Sequence, residues 1–423
     1  MNETVLAILS LAVFVGTVVL GVKRKLNLGI LGISAAFLLG FLILTDSGSM
    51  SSVALKGKPL TSLFPFNIFW MTLSVSLMLN IGSTNGTFDL VIKKLVRVAK
   101  GNRAMLPVFI FLIMFVVSAV GGGSSGIVVL LCTIASTIAK DQDIDPVFLL
   151  LSVLLGAAAA VGSPVSIIAI ICNDYTQELW QQAIAPGYMM LRGFAIAALN
   201  FVVIYVFFKG WKLKKRPAEK EEALGKLNRK QILTLVGMGI FVILGMVIGF
   251  DLGLSAFIVT ALLLLLGCAD EKEVIANVPW SSIIMISGMC ILIGTVEAAG
   301  GIKLLTNTLS LLMNKYTVKP LYSMIGSLLS MVSSMTGVVL PSMIPTVPEI
   351  AIQTGVNPLA IVTALACGGE AVVTCPVSSM GAIALGIMST NKEWDSAELF
   401  RKLMVSSVIL MISSALWAAI GIA

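Results

Sequence analysis

The chain has 423 residues, 58% of them apolar and 12% charged, with a mean hydropathy of +1.03. Water-soluble domains carry about 25% charged residues, so the composition excludes one and points to the bilayer. Histidine is absent, which removes Ser-His-Asp and Cys-His nucleophiles, HExxH metal sites, histidine-ligated haem and a histidine proton shuttle. The net charge of +7 reads as Lys/Arg held in cytoplasmic loops, not as a nucleic-acid surface.

Asn2-Glu3 precede the first apolar stretch, 4–22, and Lys23-Arg24-Lys25 follow it. A cleaved signal has its basic residues before the apolar run, so this is a retained span with the N-terminus outside. Further stretches long enough to cross about 30 Å of hydrocarbon follow at 28–45 and 66–84. The region 104–139 is apolar but interrupted by Gly121-Gly122-Gly123-Ser124-Ser125-Gly126, and 146–173 by Gly162-Ser163-Pro164. A span at 187–208 closes a first half, 1–208, and a charged cytoplasmic linker, 209–230, leads to a second half, 231–423. That half has spans at 231–249, 253–269 and 281–299. Its interrupted regions are 320–353, broken at Ser333-Ser334-Met335-Thr336-Gly337, and 358–389, broken at Thr374-Cys375-Pro376. A last span, 402–422, leaves the C-terminus outside.

If 104–139 and 320–353 each enter and leave on one side, 22 of the 28 Lys/Arg fall inside and 6 outside. That asymmetry is the positive-inside rule of a multi-pass protein in the cytoplasmic (inner) membrane. The six cysteines lie singly in apolar runs without CxxC spacing, so neither zinc nor a disulfide framework is expected.

Comparison of the chain with itself is more informative. Ile81-Gly82-Ser83 recurs as Ile293-Gly294-Thr295, Asp145-Pro146 as Asn357-Pro358, Gly156 as Gly368 and Pro164-Val165-Ser166 as Pro376-Val377-Ser378, all at an offset of 212. Ser125-Gly126 matches Thr336-Gly337 at 211. The topology above puts one hairpin inside and its counterpart outside. The expected fold is therefore an all-α polytopic membrane protein, a leading helix plus two inverted repeats, each with a re-entrant hairpin and a broken helix. Inverted repeats with discontinuous helices near the midplane are how secondary transporters achieve alternating access.

Irregular backbone at membrane depth must be buried in protein or line a polar cavity. The breaks are rich in Gly, Ser, Thr and Pro and contain no basic residue. Hydroxyls and freed carbonyls are hard oxygen ligands for a dehydrated Na⁺, and half-helix N-termini favour an anion. Tight helix packing explains a Gly-rich run equally well, and a Ser-Pro or Cys-Pro is also an ordinary kink. Glu370, two residues beyond Gly368, is a candidate proton- or cation-coupling carboxylate, its counterpart being Ala158; a helix–helix hydrogen bond is the plainer reading. Glu297 and Glu349 lie nearer the outer interface and are expected to be solvated. Arg192, at the outer start of a span, could guide anions but is expected to snorkel, and Met285–Met289 to pack or face lipid.

These residues resemble the ion-transporter superfamily, in particular the divalent anion/sodium symporters, with the malonate/dicarboxylate carriers (MatC-type) as the nearest branch. That family carries Ser-Asn-Thr at both hairpin tips and Gly-[Ser/Thr]-Pro in its broken helices. Here the tips read Gly123-Ser124-Ser125 and Ser334-Met335-Thr336, without the asparagine, while Gly162-Ser163-Pro164 matches well and Thr374-Cys375-Pro376 loosely. The resemblance implies a homodimeric elevator-type transporter that moves a small di- or tricarboxylate with Na⁺; H⁺ coupling or cation/proton antiport through Glu370 is the alternative that the residues themselves leave open. The resemblance also implies cation sites at Ser118, Gly123 and Gly162 and at Ser334 and Thr374, with no metal beyond Na⁺ and no resident cofactor. Substrate carboxylates would meet Ser124, Ser125, Ser163, Pro164, Met335, Thr336, Cys375 and Pro376. The missing asparagines suggest an anion smaller or less charged than citrate, such as malonate or a C4 acid. The partners so implied are that anion, Na⁺, the bilayer and a second copy of the chain, with no nucleic acid. An intramembrane enzyme would need a histidine, an Asp-rich metal motif or paired Asp within spans, all of which are missing; a channel has no need of two inverted hairpins.

Overall fold

The computed structural model describes residues 3–24, 26–44, 54–55, 58–91, 94, 103–122, 125–181, 183–213, 226–248, 250–389 and 394–423. Within these the chain is all-α, apart from an antiparallel pairing of Ala54–Leu55 with Lys58–Pro59. Most of the linker, and Lys25, Lys56, Lys93, Arg97, Lys100 and Lys392 of the charge count, lie outside the described residues.

Three helices open the chain: α1 (Glu3–Arg24), α2 (Leu28–Leu44) and α3 (Phe66–Thr84). The first interrupted region forms α4 (Leu106–Val117), a π-turn at Ser118–Gly122, and α5 (Ser125–Asp141). The second forms α6 (Pro146–Ala158) and α7 (Ile167–Trp180), and α8 (Pro186–Phe207) follows. Beyond the linker come α9 (Arg229–Val242), α10 (Leu252–Leu265), α11 (Glu271–Ala276), α12 (Trp280–Ala298) and α13 (Gly301–Ser310). Then α14 (Val318–Val332) leads through a π-turn, Met335–Val339, into α15 (Leu340–Met343) and α16 (Val347–Thr354). The chain finishes with α17 (Pro358–Ala371), α18 (Ser379–Ser389) and α19 (Ser396–Ala419).

Among the described residues six helical segments are long and apolar enough to cross a membrane, and their burial differs sharply: 22% for Thr4–Gly21 against 72% for Met335–Thr354. The leading helix therefore has most of its surface available to lipid, whereas the returning limb of the second interrupted region is enclosed by protein. Helix α4 has 12 residues, about 18 Å at 1.5 Å per residue, too short to cross alone.

Local chemistry explains the starts of the broken helices. Asp145 and Asn357 both stand immediately before a proline, and their side chains accept the N–H of Val147 and Leu359, each at 2.9 Å. The cap satisfies an orphan donor while proline occupies the first helical position, where its missing N–H costs nothing. The starts of α4 and α14, of α6 and α17, and of α7 and α18 are each 212 residues apart.

Where the elements depart from the expected spans, polar residues set the boundary. Helix α19 begins at Ser396, six residues before the apolar stretch, because Asp395 caps it by accepting the N–H of Ala397 at 3.0 Å. Helix α10 stops at Leu265, short of the expected 269, in a turn through Gly267 at φ +67° that only glycine adopts cheaply. The short helices α11 and α13 lie in segments with no signal strong enough to mark them. Glu297 is exposed, but Glu349 is half-buried, not fully solvated.

Candidate transport site at the paired helix breaks

The two breaks have one backbone design. In the first, Ser163 N–H donates to Ala160 O at 2.9 Å, Ser166 N–H to Ser163 O at 2.8 Å and Ile170 N–H to Ser166 O at 2.9 Å. In the second, Cys375 donates to Val372 O, Ser378 to Cys375 O and Ala382 to Ser378 O, each at 2.9 Å. Every donor and every acceptor is offset by 212. Pro164 and Pro376 stand at matching places and cannot donate, so the α-helical ladder has to open there.

The packing repeats as well. A Cβ on Gly156 would sit 2.5 Å from Phe111 O, and one on Gly368 would sit 2.3 Å from Ser323 O. Phe111 and Ser323 are themselves 212 apart. In both places a hairpin helix (α4 or α14) lies backbone-to-backbone on the first half of a broken helix (α6 or α17), a close approach that small residues permit. Ser327 Oγ adds a bond across the second contact, donating to Gly368 O at 2.8 Å.

Side chains then tie breaks to hairpins. Ser163, fully buried, donates its hydroxyl to Ala119 O at 2.6 Å, inside the first π-turn. Its proton is thereby committed and its remaining lone pairs are what it can offer. Ser118, at the start of the same turn, is buried and has no hydrogen-bond partner among the described residues. An unsatisfied buried hydroxyl is costly unless something else supplies the partner. Gly162 carries a second constraint: an added Cβ would lie 2.2 Å from the carbonyl carbon of Met189, so the opening turns of α8 already require glycine there. Gly123 and Ser124 lie outside the described residues, and only the backbone of Ser125 is described, as the first residue of α5.

At the second tip, Ser334 Oγ accepts Gly337 N–H at 3.1 Å and lies 3.3 Å from Thr336 Oγ1. Met335 is buried with its sulfur over Gly369, where a Cβ would come within 2.3 Å. Met285, expected only to pack, does so against this tip at Gly337. The tip also packs on α7 of the first half, and the turn Val372–Thr374 packs on α6. Thr374, Cys375 and Pro376 are all buried. Thus the second tip packs on α7, which follows the first break, and on α17, which leads into the second, while the second break packs on α6. Glu370 is half-buried in the last turn of α17, and its carboxylate makes no hydrogen bond or ion pair with a described residue.

Two further groups, Ser407 and Ala119, hydrogen-bond the candidate residues Thr374 and Ser163 and were not among those expected from the sequence. Ser407, on α19, shares a 3.0 Å hydrogen bond with Thr374 Oγ1 and donates to Leu403 O at 2.9 Å. The signal was available, since Ser406-Ser407 and Ser413-Ser414 recur seven residues apart on one helix face. The second pair ties α19 to α8. Ser413 Oγ and Trp417 Nε1 donate to Asn200 Oδ1 at 2.7 and 3.0 Å, and Asn200 Nδ2 donates to Ser414 Oγ at 2.8 Å. The other missed group is Ala119, whose contribution is a carbonyl and so has no side-chain signature.

Hydroxyl oxygens, interrupted helices and an unpaired carboxylate converge here without a histidine, a metal-ligand cluster or a nucleophile–base pair among the described residues. The fold is shared with the YdaH transporter of Alcanivorax borkumensis, a protein of unusual topology: the TM-score is 0.62 over 93% of this chain and 96% of that one, at 15% identity. No curated protein matches the chain in sequence. Residues 5–368, however, match the citrate transporter family. The chain belongs to that family and is a multi-pass membrane transporter, not an enzyme.

Proposed function

We propose that the protein is an elevator-type secondary transporter that carries a small organic anion, a dicarboxylate such as malonate or a C4 acid, by Na⁺ symport. The observation that carries this reading is the identical backbone hydrogen bonding of the two breaks at an offset of 212, with the second tip packed on α7, which follows the first break, and on α17, which leads into the second. Together with the charge asymmetry, it supports two inverted repeats whose breaks frame one site. Inversion supplies two related conformations of opposite sidedness, which alternating access requires. The resemblance adds a homodimer, and the charge count adds an inner-membrane location with both termini outside.

In this account Ser118, Gly162, Ser334 and Thr374, with the carbonyls freed at the turns, hold Na⁺, and Gly123 belongs to the same set. Ser124, Ser125, Ser163, Pro164, Met335, Thr336, Cys375 and Pro376 surround the carboxylates. Bound cations offset the anion's charge in a low-dielectric pocket, where an unpaired charge is expensive. Fully loaded and empty carriers therefore move, and singly loaded ones do not. Uptake of labelled malonate, succinate and citrate into proteoliposomes, with and without an inward Na⁺ gradient, tests the proposal. Uptake of a dicarboxylate driven by the gradient is expected, and flux indifferent to Na⁺ would overturn sodium coupling. Glu370 motivates one second reading, H⁺ coupling, because a half-buried carboxylate without a partner is free to take up a proton. An inward pH gradient driving uptake in the absence of Na⁺ would favour it.

A further inference from the structure

Helices α8 and α19 end 212 residues apart, the offset that relates the two breaks, and each lies against one of them. Helix α8 lies on the first: an added Cβ on Gly162 would meet the Met189 backbone at 2.2 Å, and one on Gly193 would meet the Val161 side chain at 2.6 Å. Helix α19 lies on the second, where Ser407 and Thr374 share their hydrogen bond. The two helices pack on each other and are joined at Asn200, which is 1% exposed. Its Oδ1 accepts from Ser413 Oγ and Trp417 Nε1, and its Nδ2 donates to Ser414 Oγ. An indole N–H can only donate, so the amide cannot turn over without setting two donors against each other. The same side chain lines a small cavity with Leu155, Ala158 and Val161 on the side of the first break and Cys367 and Ala371 on the side of the second. Asn200 therefore stands between the two broken helices and fastens together the helices that back the breaks.

We propose that Asn200 is a positioning residue that makes the two breaks act as one. Its hydrogen bonds fix α8 against α19, so that filling the site at one break sets the geometry of the other. A saturated amide network admits one register between two helices, whereas an apolar contact tolerates sliding. Coupling between sites is carried by such packed and hydrogen-bonded chains. Here the chain runs from Gly162 through α8 to Asn200, and from there through α19 to Ser407 and Thr374. The consequence for cation binding rests on the sodium symport proposed above; the brace itself does not.

Wild type is compared with Asn200→Leu and with the double variant Asn200→Leu/Trp417→Phe. In the double variant no buried donor is stranded, because Ser413 already has Leu410 O at 3.1 Å and a helical serine can turn to a carbonyl of the preceding turn. Its Tm should therefore return toward that of wild type. Uptake of labelled succinate is measured against Na⁺ concentration. The steep, cooperative dependence of wild type is expected to flatten to a Hill coefficient of about 1 in both variants, even where Tm is restored. Recovery of the wild-type steepness together with Tm would reduce Asn200 to a structural role and overturn the proposal. Wild-type uptake indifferent to Na⁺ overturns the symport reading instead, and the brace is then decided without ligand, by alkylation of Cys375 with a small maleimide. Labelling about tenfold faster in both variants, with Cys268 unchanged, supports it; labelling at the wild-type rate overturns it. Should Asn200→Leu fail to fold, the double variant decides alone.

Discussion

The first and second breaks share a backbone and differ in nearly every side chain that matters. Both make the same three backbone hydrogen bonds around a proline. Yet the first presents Gly162 and Ser163, the second Thr374 and Cys375, and Ala158 stands where the second has Glu370. The first is anchored to its own hairpin through Ser163 and Ala119, the second to the terminal helix through Thr374 and Ser407. The family match, over residues 5–368, contains the first break and stops short of the second. The two breaks thus share a backbone frame, and among the described residues the carboxylate without a partner stands beside the second only.

Exchanging residues between the breaks probes this difference. The largest effect is expected from Gly162→Thr, which installs the second break's residue in the first. Its Cβ has 2.2 Å to the α8 backbone, and backbone cannot yield as a side chain can. A loss of about 3 kcal/mol or more is expected, read as loss of monodisperse protein in fluorescence-detected size exclusion. The converse, Thr374→Gly, meets no clash and forfeits only a buried hydrogen bond and some rigidity, about 1–2 kcal/mol. Ser163→Ala leaves Ala119 O unpaired and should cost about 1–3 kcal/mol, seen as a lowered Tm, with Ser163→Cys milder.

Glu370→Gln separates the coupling readings. Under sodium symport, Na⁺-driven uptake persists with altered affinity, whereas under proton coupling, pH-driven uptake disappears. The smallest effect belongs to the entrance of the first broken helix, where Lys402 Nζ lies 2.7 Å from Asp145 Oδ2 and 3.0 Å from Glu398 Oε1. Asp145→Asn keeps the cap, as Asn357 shows in the other copy, and loses the ion pair. For partly exposed charges that is about 0.2–1 kcal/mol, and raised salt in a thermal melt should shrink the difference between the two proteins.

Much of the fold was readable because hydrophobic runs and Pro–Gly punctuation act locally. The Asp145-Pro146 and Asn357-Pro358 starts are caps written in two residues, and both breaks fell where glycine and proline suspend the helical ladder. The polar first turn of α19 was not legible, because hydropathy marks the lipid-facing length of a helix while caps mark its end. The surroundings of the candidate site were legible where a residue's own side chain carries the polarity, as at Thr374, which is buried and hydrogen-bonded. It was not legible where the partner is a backbone carbonyl, as at Ala119, or lies on a distant helix, as Ser407 does. Gly162 shows a further limit, since the packing need for glycine there arises from α8 and cannot be seen in the break itself.

The central claim, that the two breaks enclose the transported anion, can be put to the native protein through its own thiols. Cys375 is at the second break, while Cys268 lies in the turn after α10, and both are free and buried. Alkylation by a small maleimide, resolved by mass spectrometry, is followed during turnover with and without dicarboxylate and Na⁺. Substrate and cation together should protect Cys375 and leave Cys268 unchanged. Equal labelling of Cys375 in both conditions, while uptake proceeds, would place the anion elsewhere and contradict the account.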